Sequence, residues 1–434
     1  MAPAAARPFA SRSVPSPPGC RLRRSRRMKC RHCGARLEHT FVDLGFAPPS
    51  NAYLQADDLC NPEVHYPLRV KVCHQCWLVQ TEDYARAEEL FSPDYAYFSS
   101  TSSSWLEHAA GYVRMITDRL LLGPESFVIE VASNDGYLLK NFVAAGIPCL
   151  GVEPTAGTAA AAEALGIPVV REFFDEAFGR RLSGEGQSAD LILGNNVYAH
   201  VPDVNDFTRG LAAALKPEGV VTLEFPHIVP LIEQTQFDTI YHEHFSYLSL
   251  TTVADIFSGA GLRVWDVEEL PTHGGSLRVY GCRADATIAA TARVDALLAR
   301  EDRFGVTRLA TYTEFQKRAD RVKVDLLAFL IEQKRAGRSV AAYGAAAKGN
   351  TLLNYAGVRP DLLPYVCDAA ASKQGKFMPG SHIPIYSPEA LREIPPDYVL
   401  ILPWNIAHEV RTQLQDLVDK GVALVTAVPQ LSLL

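Results

Sequence analysis

Residues 127–136 constrain the fold more than any other stretch of this chain. Phe127-Val-Ile-Glu-Val131 is an apolar run of strand length. It passes through Ala132-Ser-Asn-Asp-Gly136 straight into a helix-forming segment at 137–145. A buried strand that turns sharply into a helix at a glycine opens a parallel βαβ unit. The rhythm continues: 149–152, 168–170, 190–193 and 219–224 read as further strands, with the alanine-rich 158–165 as a helix between them. This predicts an α/β fold, a mostly parallel, doubly wound sheet with helices on both faces.

The loop at the end of the first strand also restricts the ligand. It has one glycine, Gly136, where a dinucleotide fingerprint needs three, and Asp135 would repel a pyrophosphate. S-adenosylmethionine carries an ammonium and a sulfonium and no phosphate. Glu130, Asp135 and the carbonyls of Ser133 and Asn134 suit those cations. Glu153 ends the second strand about 20 residues on, where an acid can hold both ribose hydroxyls, and Pro154 stops that strand. Phe173 and Phe174 border an adenine or simply pack in the core. Asn195 and Asn196 follow the fourth strand, in the crevice where ligands of such sheets bind.

At 434 residues the chain is too long for one core. Upstream of the α/β block, Cys30-Arg-His-Cys33 and Cys73-His-Gln-Cys76 each form a two-residue-spaced pair. Two such knuckles supply four thiolates to one tetrahedral zinc ion, a closed and therefore structural site in a block too small to build its own core. The odd total of nine cysteines with no secretory signal fits a reducing, cytoplasmic setting. Downstream, a long charged amphipathic stretch at 295–335 precedes a second strand–turn–helix signal, Ser339-Val-Ala-Ala-Tyr343 then Gly344-Ala-Ala-Ala-Lys-Gly349. Later strands are expected at 364–368 and 397–402. The expected division is a tail at 1–27, a zinc-binding domain at 28–95, a cofactor-binding domain at 96–285 and a Rossmann-like domain at 286–434.

The first 27 residues hold seven arginines and no acid, a composition of a disordered tail, a transit segment or a start placed ahead of Met28. The overall formal charge is −7, so the rest of the chain carries −14, which disfavours nucleic acid as a partner. No apolar run reaches the roughly 18–20 residues of a membrane span, and a monomer is expected.

Between the fourth strand and residue 250, acid/base groups concentrate. Tyr241, Glu243 and His244 lie in Phe237-Asp-Thr-Ile-Tyr-His-Glu-His-Phe-Ser-Tyr-Leu248, and His200 lies in the preceding rim loop. Loops on one rim of a doubly wound sheet can converge on one pocket.

The two cysteine knuckles, Glu130–Gly136, Tyr241-His-Glu-His-Phe-Ser-Tyr247, Gly274-Gly-Ser-Leu-Arg278 and Tyr343–Asn350 occur in that order. Together they resemble the nucleotide-sugar C-methyltransferases of antibiotic deoxysugar pathways, over everything from Met28 onward. The resemblance implies a methyltransferase core flanked by a zinc domain and a Rossmann-like domain. Its substrate would be a dTDP-4-keto-deoxyhexose methylated at C3, or at C5 in some relatives. It also implies His244 as the base that removes the proton beside the ketone, with Tyr241 and Glu243 as its neighbours and Tyr95 and His200 facing the sugar. Tyr97, Lys348, Asn350, Thr351, Lys373 and Asn405 are candidates for holding the sugar nucleotide, Lys348 beside its diphosphate.

Overall fold

A computed structural model describes residues 28–84 and 99–434. The expectations for residues 1–27 and for Tyr95 and Tyr97 lie outside the described residues.

Three sheets organise the chain. The first is four-stranded and antiparallel, in the order β1 (His39–Ala47), β2 (Tyr66–Val72), β3 (Val79–Thr81), β9 (Ser246–Tyr247). The second has seven strands. β4 (Val128–Val131) lies at its centre, with β5 (Cys149–Val152) and β6 (Val169–Val170) on one side. On the other side come β7 (Ala189–Asn195), β8 (Leu215–Pro226), β11 (Ser276–Arg283) and β10 (Leu262–Leu270). The third holds β12 (Val340–Tyr343), β13 (Val366–Cys367), β14 (Ile385–Tyr386), β15 (Tyr398–Ile401), β16 (Ala423–Thr426) and β17 (Ser432–Leu433).

All four residues of β4 are buried, as a central parallel strand covered on both faces requires. The strand order reverses at β4, so its carboxyl end is the switch point at which such sheets bind ligands. The sheet is mostly parallel, from β6 through β8. β10 and β11 form an antiparallel hairpin against β8 that the repeating strand–helix rhythm did not reveal.

The first domain border is crossed by the chain. β9 lies next to His244 in sequence, yet it pairs antiparallel with β3, Val79 facing Tyr247. The cysteine-bearing block therefore holds the histidine-rich segment from behind. That block does not rest on a metal alone, either. Phe41 of β1 stacks on Phe315 with ring centroids 4.3 Å apart, and one buried cluster joins β1–β3 to the C-terminal unit. Three of the knuckle cysteines, Cys30, Cys73 and Cys76, belong to a second cluster shared with the seven-stranded sheet.

The stretch at 295–335 is not one helix. Helix α1 (Ala292–Phe304) stops at Gly305, in the left-handed conformation at φ 95°, and α2 (Phe315–Arg335) starts afresh. Buried Glu301 of α1 accepts from the backbone N–H groups of Leu250 (2.7 Å) and Thr251 (2.8 Å). This anchors α1 to the seven-stranded unit. Among the described residues no helix is long and apolar enough to cross a membrane.

Candidate active site

The four cysteine sulfurs lie within 4.8 Å of one another. Cys30 Sγ is 3.4 Å from Cys76 Sγ, and Cys33 Sγ is 3.5 Å from Cys73 Sγ. A tetrahedral zinc with bonds of about 2.3 Å needs sulfurs about 3.8 Å apart, so the set fits the ion with small adjustment. Gln80 of β3 donates to Cys30 Sγ at 3.1 Å and accepts from Arg31 N at 2.9 Å, which ties the knuckle to the strand. All four positions are filled by protein, so the site holds structure together and offers no place to a substrate.

At the carboxyl end of β4 the backbone is tightly constrained. Ala132 and Asn134 take positive φ of 57° and 50°, uncommon for side-chain-bearing residues. Gly136 has φ 76°, and an added Cβ would run into Ile167 and Ala162. The turn brings three carboxyls together without a matching cation among the described residues. Burial, then the charges of Asp135 and Glu153, push Glu130 well above the usual carboxylate range. Glu130 Oε2, Ser133 Oγ, Asp135 Oδ1, Asn195 Nδ2 and Asn196 Oδ1 are buried without a hydrogen-bond partner among the described residues. Orphaned polar atoms at a switch point, mostly acceptors, fit a cationic ligand such as S-adenosylmethionine. Glu153 accepts from Asn134 N at 3.0 Å and from Thr155 N at 2.9 Å, leaving lone pairs on Oε2. Pro154 beside it is half-buried. Phe174 packs on Phe178 and Phe207 instead of bordering the rim, because α3 (Glu176–Gly184) and α4 (Val204–Ala214) cross closely at Gly179 and Gly210 and enclose it.

Tyr241, His244 and His200 do converge, and Glu243 joins them through its backbone carbonyl. The His244 ring lies 4.0 Å from Tyr241 and 4.6 Å from His200, centroid to centroid. His244 Nδ1 is 2.8 Å from the Thr239 carbonyl. A carbonyl can only accept, so Nδ1 carries the proton and Nε2 presents a lone pair. His200 Nδ1 is likewise 2.8 Å from the Glu243 carbonyl. Burial, with His200 nearby, pulls His244 well below the usual imidazole range, and burial takes His200 down to about 4, so both rings are neutral at pH 7. Burial pushes Glu243 up to about 7 against the Asn51 hydrogen bond at 3.2 Å. From behind, Thr81 Oγ1 donates to the His244 carbonyl at 2.5 Å and Thr81 N to that of Phe245 at 3.1 Å.

Several members of the site escaped the sequence reading. His273, at φ 55°, accepts from the Asn196 amide at 2.9 Å. Trp105 lies 4.9 Å from His108, stacked, and 5.3 Å from His273. Glu224 is fully buried and bound by Arg278 at 2.8 Å and His108 at 2.9 Å. Burial raises its carboxyl, but those two partners more than offset that and hold it below its ordinary value. These groups come from separate segments: Trp105 and His108 from the helix Ser103–Leu120, Glu224 from β8, and His273 and Arg278 from the β10–β11 hairpin. A separate groove of 470 Å³ along β10 and α1 is lined by Glu268, Glu269, Arg293 and Arg300 and by none of the residues above. Arg300 there pairs with Glu269 and Arg293 with Asp266.

The C-terminal candidates divide. Thr351 Oγ1 donates to the Ile240 carbonyl at 2.9 Å, and Asn350 Nδ2 donates to that of Ser50 at 2.6 Å, so both donors bind neighbouring domains. Lys373 donates to the Ala345 carbonyl at 2.9 Å and pairs with Asp368 at 3.5 Å. Lys348 is half-buried. It donates to Asn405 Oδ1 at 2.9 Å and lies over the Trp404 ring at 4.8 Å, and its charge reaches both His244 and His273.

Family profiles match three successive stretches of the chain. One described as a putative zinc binding domain covers residues 30–91, a methyltransferase domain covers 105–267, and a C-methyltransferase C-terminal domain covers 271–429. The C-methyltransferase NovU of Streptomyces niveus is 34% identical over 402 residues, which span 93% of this chain and 96% of that protein. The chain belongs to this C-methyltransferase family. It is an S-adenosylmethionine-dependent C-methyltransferase with a four-cysteine zinc-binding domain. An uncharacterized methyltransferase of Mycobacterium leprae is 31% identical over 98 residues, 23% of this C-methyltransferase and 36% of its own length. Among solved structures, magnesium protoporphyrin IX methyltransferase of Synechocystis PCC 6803 aligns with 42% of this chain and 78% of its own, at 12% identity and TM-score 0.32.

Proposed function

We propose that this C-methyltransferase acts on a dTDP-4-keto-deoxysugar and methylates the carbon next to the ketone, C3. The observation that carries this reading is the His244 tautomer. Thr239 fixes the proton on Nδ1, and the neutral Nε2 is left as a base at the centre of a buried cluster. A C–H bond beside a ketone is acidic enough for such a base. Bound S-adenosylmethionine supplies an electrophilic methyl on a cationic sulfur.

In this reading Glu130, Ser133, Asn134, Asp135, Gly136, Glu153, Asn195 and Asn196 hold the cofactor. His244 Nε2 takes the proton, and Tyr241 and His200 orient the ring and the sugar. Glu243, raised to about 7 by burial, holds or passes a proton beside them. Burial of His244 and Glu243 keeps water from them, which strengthens each electrostatic contact. The fitting experiment incubates a dTDP-4-keto-deoxyhexose in deuterated water with S-adenosylhomocysteine and follows the ring protons by NMR. The proton at C3 should exchange with the unaltered enzyme and persist with His244→Ala. S-adenosylhomocysteine should bind both proteins alike. Exchange at C5 alone would move the methylation site, and unimpaired exchange by His244→Ala would remove His244 as the base.

A further inference from the structure

The C-terminal unit reaches into the base cluster through one short helix. Helix α5 (Ala347–Ala356) follows β12 through the tight turn at Gly344, where φ is 94° and a side chain would strike Pro403. Thr351 of α5 binds the carbonyl of Ile240, the residue before Tyr241. Lys348 lies one turn earlier, three residues away, and so shares that face of the helix. Its ammonium is fixed from two sides. Asn405 Oδ1 accepts from Nζ at 2.9 Å, and the Trp404 ring lies beneath it at 4.8 Å. Trp404 is fixed in turn. Its Nε1 donates to Asp238 Oδ2 at 2.7 Å, and its ring edge lies against Gly274, next to His273. Asp238 is fully buried, Oδ1 has no partner among the described residues, and it precedes Thr239, whose carbonyl sets the His244 tautomer.

A diphosphate carries several charges and binds best where several donors face it. Lys348 is a single cation sharing its pocket with a carboxylate. That arrangement is balanced before reaction and suits one negative charge that appears only during reaction. We propose that Lys348 is a catalytic residue whose Nζ–H donates to the sugar's carbonyl oxygen as it becomes an enolate oxygen. Asp238, Trp404 and Asn405 act as positioning residues for it. The inference rests on the proposed keto-sugar substrate. In the half-reaction, the ring C–H bond breaks and its proton passes to His244 Nε2. The electron pair moves onto the carbonyl oxygen, which Lys348 holds. Return of a deuteron from the exchanged His244 regenerates the ketone. Burial lowers the Lys348 ammonium against the opposing pull of Asp238, which makes it a stronger hydrogen-bond donor to a developing anion.

The test uses the full chain with S-adenosylhomocysteine and dTDP-4-keto-6-deoxyglucose, which has exchangeable protons on both sides of its ketone. Exchange is followed at saturating sugar nucleotide, and thymidine diphosphate binding is measured by calorimetry. Lys348→Met should slow exchange about 10²–10³-fold, as loss of one oxyanion donor does. Affinities for thymidine diphosphate and S-adenosylhomocysteine should stay within about threefold, showing an intact fold. Lys348→Arg keeps a donor and should recover part of the loss. Unchanged exchange in Lys348→Met with weakened thymidine diphosphate binding would overturn the assignment and return Lys348 to the diphosphate. No exchange by the unaltered enzyme would overturn the keto-sugar reading and this assignment with it. If Lys348→Met loses both affinities, Asp238→Asn provides the second measurement. It should slow exchange while retaining both affinities, and unchanged exchange there would also overturn the proposal.

Discussion

Replacing Thr81 with valine probes how the cysteine-bearing domain supports the base. Valine matches the shape of threonine and lacks its hydroxyl, so packing around this 2%-exposed residue changes little. What is lost is the 2.5 Å bond to the His244 carbonyl, in a place where water does not replace it. Leaving a buried acceptor without its donor costs about 1–3 kcal/mol. If that cost falls wholly on the placement of His244, turnover drops about 5–150-fold. The lower end is expected, since Thr81 N still donates to the Phe245 carbonyl and β3 still pairs with β9. The cofactor loop at residues 133–136 does not touch Thr81, so KM for S-adenosylmethionine should not move. Steady-state kinetics with metal analysis of the purified variant gives the answer. A kcat within twofold of the parent, at unchanged thermal stability, would refute the idea that this strand positions the base.

Three other outcomes are expected. Cys73→Ser should lose zinc and, through the loosened β3–β9 pairing, most of its turnover, although the metal touches no substrate; full activity in protein shown to be zinc-free would contradict this. Gly136→Ala forces a side chain into φ 76° at a cost of about 1–2 kcal/mol and against Ile167, so calorimetry should show S-adenosylhomocysteine affinity about tenfold weaker or worse. His200 is held down to about 4 by burial while the unfolded residue titrates near 6.5, so the unfolded chain binds the extra proton between those values. Its contribution to stability is complete above pH 6.5 and is lost as pH falls toward 4. The melting temperature of His200→Gln should therefore fall less steeply than the parent's across that window, and parallel slopes would rule out this account. Glu243 and Asp238, raised to about 7 and about 6, act in the opposite sense and weaken stability as pH rises through those values.

What the sequence disclosed was local. The β4 turn is legible because an apolar run, an acidic loop and Gly136 are contiguous, and the knuckles because two-residue spacing is itself the geometry of a thiolate pair. The convergence of Tyr241 and His244 was legible because the pair sits within four residues, and His200 because it lies on the same rim. Contacts between distant segments left no such mark. A two-residue strand such as β9 has no periodicity to detect, so its insertion beside β3 was invisible. Lys348 read as a phosphate ligand because a glycine turn before a helix suggests one; only the folded chain shows Asp238, Trp404 and Asn405 around it. From its place after a strand Phe174 could border a ligand or pack in the core, and a glycine-to-glycine helix crossing drew it inside.

The reaction is defined by the atom that receives the methyl group. Turnover of a dTDP-4-keto-deoxyhexose with S-adenosylmethionine labelled with carbon-13 in the methyl group, followed by two-dimensional NMR of the product, reads that atom directly. The account predicts labelled methyl protons coupled to a quaternary C3 with the C4 ketone retained. A labelled methoxy signal, or a methyl on any carbon not adjacent to the ketone, would contradict it.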